Sequence, residues 1–366
     1  MSSAHTPTLK DIANATGVSL ATASAALNEK EGVAPQTRAR VLDVALSMGY
    51  DLKRKKLKRS ETELKTIGLL IKHDLDMVRG ANPFYSQVQL GVANFCQRHD
   101  ISLMVASVDV DISNHPISWP AMLHQNQIDG LIMAGAFIDD TVDIIKRKSD
   151  FPIVLVDSYS STLQCDSVVT DNVGGARKVV QHLIQNGHER IGLAGWNQFS
   201  PPSIQLRHQG YLQILNAYGL KPLIVETELS RAGGQKAVNK LLGARPQVTA
   251  LFCCNDETAI GAIGAIRQLG LEVPRDVSVV GFDNIDLAAE ISPALTTVHV
   301  QKTWMGALGV QSLIERVRHP DKPKTTIVLD TDLMIRESVA RIATPDPEKQ
   351  REIELIQART QYNILP

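Results

Sequence analysis

The chain of 366 residues has only four cysteines, Cys96, Cys165, Cys253 and Cys254. None forms a C-x-x-C pair, and none has a histidine at zinc-ligand spacing. Neither a disulfide framework nor a zinc site is expected. Cys253 and Cys254 stand together in an apolar strand pattern, which predicts buried thiols. Long apolar runs are also missing. The longest are strand-sized, as in Ile67-Gly68-Leu69-Leu70-Ile71, far below the ~20 residues of a membrane span. The N-terminal MSSAHTPTLKD lacks the apolar core of a secretory signal. Together these absences predict a protein of the reducing cytoplasm with no membrane partner. No G-x-G-x-x-G, P-loop or G-x-S-x-G is present, and the histidines are scattered. An enzyme is therefore not expected, and no catalytic residue, metal or cofactor is assigned.

What is present is a globular composition, 43% hydrophobic and 21% charged. At roughly 100–200 residues per domain, the length predicts two or three domains. The net charge of −1 hides an asymmetry, because residues 1–65 carry 11 Lys/Arg against 7 Asp/Glu. Lys53, Arg54, Lys55, Lys56, Lys58 and Arg59 crowd into one stretch. A basic head on an acidic body points to a polyanionic partner, the alternative being a solvated linker.

The body alternates short apolar runs, at 67–72, 101–108, 130–134, 152–157, 190–195, 249–254 and 278–282, with amphipathic stretches. That alternation predicts βαβ units around parallel sheets. Such sheets bind ligands beyond the carboxyl ends of their strands, often between two lobes. The polar tail from Ala343 contains Asp346-Pro347, a possible helix start, but no sustained heptad.

The head reads differently. Thr8-Leu9-Lys10-Asp11 has the form of a capping box, and Leu9, Ile12 and Ala13 share a face. Gly17 supplies a turn, Ser19 can cap a second helix running through Asn28, and Val18, Thr22, Ala23 and Leu27 can face the first helix. Pro35 begins a third helix that Gly49 ends. The pattern fits a helix-turn-helix that lays its second helix in the DNA major groove, the alternative being a generic three-helix bundle.

TLKDIANATGVSLATASAALN and VAPQTRARVLDVALSMGY resemble the head of the LacI/GalR family of bacterial transcription regulators. The resemblance continues through NPFYSQVQLGV, QIDGLIM, PIVLVDS, VVTDNVGGARKVVQHLIQNGHERIGLAG, ALFCCNDETAIGAIGAIRQLGLEVPRDVSVVGFDN, PALTTVHV and LMIRES, in order. It implies a small all-α helix-turn-helix head and an α/β two-lobed core of periplasmic-binding-protein type with parallel sheets. The implied parts are a DNA-binding domain at 1–50, a basic hinge or linker at 51–65, an effector-binding and dimerisation core at 66–343, and a polar tail at 344–366. The implied function is that of a sequence-specific regulator, a repressor more than an activator. It would act as a homodimer on double-stranded operator DNA under a small-molecule effector, a sugar or related metabolite. A solute-binding protein for uptake is the alternative on the core alone.

By the same resemblance, Thr8, Ser19, Thr22, Ser24, Asn28, Thr37 and Tyr50 contact phosphates, which fix register without reading sequence. The base-reading positions are Leu20, Ala21 and Ala25, where the family usually carries a longer polar side chain at the last. Leu and Ala offer base edges no hydrogen bond; they can pack on thymine methyls or simply admit the helix closely. The linker also departs. Arg59 stands where the family's minor-groove leucine aligns, and Leu57 lies two places early. Either Leu57 takes that role, or Lys53, Arg54, Lys55, Lys56 and Arg59 hold the groove by charge. The family's pocket positions fall on Asn82, Phe84, Ser86, Asp157, Arg207, Asn255, Asp283 and Gln301, with Asp256 as a possible helix cap. Arg, Asp and Asn with one aromatic suit a polyol.

Overall fold

A computed structural model of the chain describes residues 7–27, 33–48, 64–74, 82–111, 115–123, 127–137, 139–159, 165–242 and 248–342. The chain divides into two compact units, Met1–Glu63 and Leu64–Pro366.

The first unit contains α1 (Leu9–Thr16), α2 (Leu20–Leu27) and α3 (Pro35–Ser47). Thr8 and Asp11 form the expected reciprocal capping box at α1. Gly17 ends α1 at φ +66°, a left-handed conformation that glycine takes without a Cβ penalty. Ser19 Oγ accepts the Thr22 N–H at 3.0 Å and so caps α2. Ile12, Ala13, Ala23, Ala26, Val41 and Ala45 form the core, with Leu9, Val18, Leu27 and Val33 around it. The second helix therefore buries Ala23 and Ala26, while Thr22, expected to face α1, is only half-buried and meets Ser19 Oγ through its hydroxyl.

The second unit runs β1 (Thr66–Asp74), α4 (Pro83–Arg98), β2 (Ser102–Val110), β3 (Gly130–Ala134), α5 (Asp139–Lys148), β4 (Ile153–Val156) and β5 (Asp166–Thr170). It continues through α6 (Asn172–Gln185), β6 (Ile191–Trp196), α7 (Pro202–Ala217), β7 (Leu223–Glu226), α8 (Arg231–Leu242), β8 (Ala250–Cys253), α9 (Asp256–Gln268) and β9 (Ser278–Val280). Last come α10 (Leu287–Glu290), β10 (Thr297–His299), α11 (Lys302–Arg318), β11 (Thr326–Leu329) and β12 (Asp332–Met334).

Two parallel sheets result, as the alternating pattern predicts. One has the order β2-β1-β3-β4-β5-β11 and the other β7-β6-β8-β9, while β10 and β12 form a separate antiparallel pair. β11 thus returns from the far end of the chain to complete the first sheet. The chain passes between the lobes after β5, between β10 and α11, and between β11 and β12. Two of these crossovers are tied where the Asp171 N–H donates to the Leu329 carbonyl at 2.8 Å. Cys253 and Cys254 are fully buried, as expected.

Helix α11 packs across the first sheet and against α4. The two helices approach so closely that a Cβ on Gly91 would lie 2.0 Å from the Thr303 carbonyl oxygen, and one on Gly306 would lie 2.2 Å from that of Val88. Only glycine fits at either place. Gly306, with Gly309, also weakens the helical signal of α11 in the sequence.

The far end of α11 is fixed by a buried pair. Arg316 donates from Nε to Asp166 Oδ2 at 2.7 Å and from Nη2 to Asp166 Oδ1 at 2.9 Å. Thr325 adds its N–H and hydroxyl to the same carboxylate. Burial raises the Asp166 pKa, but these bonds and the Arg316 charge outweigh it and hold the carboxyl below its usual range. Because the folded-state value is depressed, this stabilisation is present above the unfolded carboxylate pKa and is lost as pH falls through the folded one. Arg316→Ala leaves a buried unpaired carboxylate and should cost about 3–5 kcal/mol in urea denaturation at pH 7. The deficit relative to the unmutated chain should shrink in acid. A loss under 1 kcal/mol would refute the pairing.

Candidate functional site

In the second unit, the ends of β4 and β9 present two carboxylates toward one arginine. Asp157 follows β4 and Asp283 lies just beyond β9, both at positive φ, +55° and +107°. Such backbone is uncommon for non-glycine residues and concentrates at ligand sites. Arg207, in the second turn of α7, is 4% exposed. Its Nη1 lies 3.1 Å from Asp283 Oδ1 and donates to the Cys254 carbonyl at 2.5 Å. Its Nε donates to Asn172 Oδ1 at 2.9 Å, and its guanidinium lies 3.7 Å from the Phe282 ring centroid. The Arg207–Asp283 contact is a charge pair off hydrogen-bond direction, so Asp283 Oδ1 is buried with no hydrogen-bond partner. An acceptor in that condition suits a ligand hydroxyl.

Asp157 accepts the Tyr85 hydroxyl at 2.9 Å. Burial pushes its pKa up to about 6, with Arg207 and Tyr85 opposing and Asp283 adding to the rise. Burial also raises Asp283, against the charges of Arg207 and Lys302. Lys302, 6% exposed at the start of α11, donates from Nζ to the carbonyls of Asp283 and Asn284. It thereby holds the left-handed turn at 283–284 in place. A cavity of about 710 Å³ is lined by Tyr159, Trp196, Gln198, Phe199, Gln205 and Leu206 among others, residues that follow Asp157 and precede Arg207 in the chain.

The remaining expected pocket residues have local duties. Asn82 caps α4, its Oδ1 accepting the Phe84 N–H at 3.0 Å, while the Ser86 hydroxyl donates to the Asn82 carbonyl. Phe84 is 7% exposed and packs edge-on against Tyr85. Asn255 caps α9 by accepting the Thr258 N–H and hydroxyl. Gln301 donates to Asp332 at 3.3 Å. Asp256, expected as a possible cap, is instead fully buried, accepting from Thr297 Oγ1 and the Ile285 N–H. Burial pushes its pKa up to about 8. The sequence reading missed Tyr85, Asn172, Phe282 and Lys302. Asn172 and Phe282 adjoin strand ends, and that position was the signal available for them.

In the head, Thr8, Ser19 and Thr22 are engaged in caps at the starts of α1 and α2, where backbone N–H groups favour phosphate. Leu20 is 53% exposed, Ala21 is exposed, and Ser24, Ala25 and Thr37 are half-buried. Asn28, Tyr50, Lys53, Arg54, Lys55, Lys56, Leu57 and Arg59 lie outside the described residues, as do the tail from Ala343 and its expected helix start. Among the described residues, no group of His, Cys, Asp and Glu could hold a metal ion, and no helix is long and apolar enough to cross a membrane.

Residues 8–51 match the family profile described as bacterial regulatory proteins, lacI family, and residues 180–339 match that of a periplasmic binding protein-like domain. An HTH-type transcriptional repressor PurR of Mannheimia succiniciproducens is 31% identical over 343 residues, 92% of this chain and 99% of the relative. The ribose operon repressor of Haemophilus influenzae is 32% identical over 335 residues, 91% of this chain and 98% of the relative. The solved complex of the transcriptional regulator CelR with cellobiose matches with a TM-score of 0.67 at 27% identity, covering 91% of this chain and 99% of that one.

The raised pKa of Asp157 has a definite sign. Its ionised form is disfavoured in the fold, so stability is lost as pH rises from the unfolded carboxylate value near 4 through about 6. Asp157→Asn keeps an acceptor for Tyr85 and removes the charge. Thermal or urea unfolding should find the variant more stable at pH 7 by about 3 kcal/mol, with the difference shrinking toward pH 4. A pH-independent difference would remove the assignment of a desolvated carboxylate.

Proposed function

The chain belongs to the lacI family of bacterial regulatory proteins, and from that membership we propose how its residues divide the work of a DNA-binding transcriptional regulator under effector control. The carrying observation is the convergence of Asp157, Arg207 and Asp283 at the strand ends. Asp157 and Asp283 accept ligand hydroxyls, and Arg207 orients them. The effector is a neutral sugar or related polyol. Two carboxylates facing one guanidinium favour a donor-rich uncharged ligand over an anion. The names of the ribose operon repressor and the CelR–cellobiose complex fit that chemistry. Phe84, Asn82, Ser86, Asn255 and Gln301 shape the site through packing and caps, with Tyr159, Trp196 and Phe199 as its apolar wall.

Residues 1–50 bind operator DNA, 51–65 form a basic linker, 66–343 hold the effector, and 344–366 are a tail. Thr8, Ser19, Thr22, Ser24 and Thr37 contact phosphates with Asn28 and Tyr50, and Lys53, Arg54, Lys55, Lys56, Leu57 and Arg59 engage the groove. The protein represses transcription from the cytoplasm as a homodimer on a two-fold operator. Leu90 and Trp304, 48% and 63% exposed, flank the point where Gly91 meets Thr303 and offer an apolar face to a second copy. The relatives named are regulators, and the crevice acts by holding a ligand without converting it.

The test uses purified full chain and a panel containing ribose, cellobiose and other neutral sugars. One sugar should raise the unfolding midpoint; at 100 times its dissociation constant it adds about 2.7 kcal/mol. The same sugar should change operator affinity in a gel shift, and Asp283→Asn should abolish both effects. If residues 64–366 alone shift operator DNA at physiological salt as well as the full chain does, the division of labour is wrong.

A further inference from the structure

The outward side of α2 carries Leu20, Ala21 and Ala25, with Ser24 the polar side chain between Leu20 and Ala21. Its core side is set by Ala23 and Ala26, both fully buried, so at 100° per residue Ala21 and Ala25 stand opposite the core with Leu20 on their flank. The whole helix, LATASAAL, has no charged residue. Ser19 Oγ and the Thr22 N–H are joined in the cap, and the two hydroxyls lie 2.8 Å apart. Among the described residues of the head, Leu20 is the most exposed large apolar side chain at 53%. An isobutyl group held at the first helical position, one turn before Ser24, gives an exposed apolar edge at the start of the helix.

We infer that Leu20 selects thymine by packing on its 5-methyl group in the major groove, with Ala21 and Ala25 leaving room for the helix to approach. The proposal rests on the reading of the head as the DNA-binding unit and adds the base chemistry it recognises. Among the four bases only thymine presents a methyl in the major groove. A side chain without donor or acceptor discriminates by covering that methyl, and it leaves base-edge polar groups unpaired elsewhere.

The probe is a duplex selected from random sequence with the full chain. Each half-site thymine is replaced in turn by 2′-deoxyuridine, which removes the methyl and keeps every base-pair hydrogen bond. One or more positions per half-site should lose affinity about fourfold, the fold-change expected for one apolar carbon's burial. Leu20→Ala should bind thymine and uracil duplexes equally at those positions. Its exposure keeps the head folded, which circular dichroism checks. Uniform tolerance of deoxyuridine in a duplex still preferred over scrambled DNA overturns the inference and leaves DNA binding intact. A uracil penalty that persists in Leu20→Ala assigns the effect to DNA shape and also overturns it. If no sequence is enriched by the full chain, the DNA-binding reading fails and the inference falls with it.

Discussion

A buried guanidinium must be matched on every side, because an unpaired charge removed from water costs several kcal/mol. Arg207 meets this demand with four different partners: the Asp283 carboxylate, the Cys254 carbonyl, the Asn172 side chain and the Phe282 ring. These come from the ends of β8 and β9 and from the crossover that follows β5. The same cation therefore ties the strand ends that carry Cys254 and Asp283 to the crossover after β5. Replacing it by a neutral residue would leave Lys302 alone to oppose the burial of the Asp283 carboxylate, at a cost in stability.

Lys302 performs a parallel task at a second crossover. It begins α11, which packs on the first sheet, and it donates to the carbonyls of Asp283 and Asn284, which follow the last strand of the second sheet. The left-handed turn that presents Asp283 is thus held from the opposite lobe. In the proposed function, a ligand that bridges Asp157 and Asp283 would engage one carboxylate, that of Asp283, which Arg207 and Lys302 tie to two crossovers. Its effect on DNA binding equals its differential affinity for the two arrangements of the lobes.

Much of this was legible in the chain. Caps declared themselves through spacing: Thr8 with Asp11, Ser19 with Thr22, Pro35 at the start of α3. Continuous apolar runs gave the central strands, since a strand covered on both faces needs no alternation. β11 escaped notice because it is an edge strand with a half-exposed pattern, and β10 and β12 have only three residues each. Arg207, Asp157 and Asp283 were found from strand-end position and family resemblance together. Asn172, Tyr85 and Lys302 were not, because their roles depend on partners 35, 72 and 19 positions away. Asp256 was misjudged for a similar reason. It sits where a helix cap belongs, yet Asn255 takes the cap and Asp256 joins the loop at 285 to Thr297.

In the proposed division of work, the Arg207–Asn172 bond couples crevice occupancy to the crossover after β5. The direct measurement is operator affinity with and without a saturating sugar that stabilises the protein, in the unmutated chain, Asn172→Ala and Asn172→Asp. Effector coupling in regulators is typically about 5–150-fold. Asn172→Ala should still bind the sugar, seen as a raised unfolding midpoint, while the affinity ratio falls toward one. Asn172→Asp retains an acceptor for Arg207 and should keep most of the ratio. An unchanged ratio in Asn172→Ala would contradict the account.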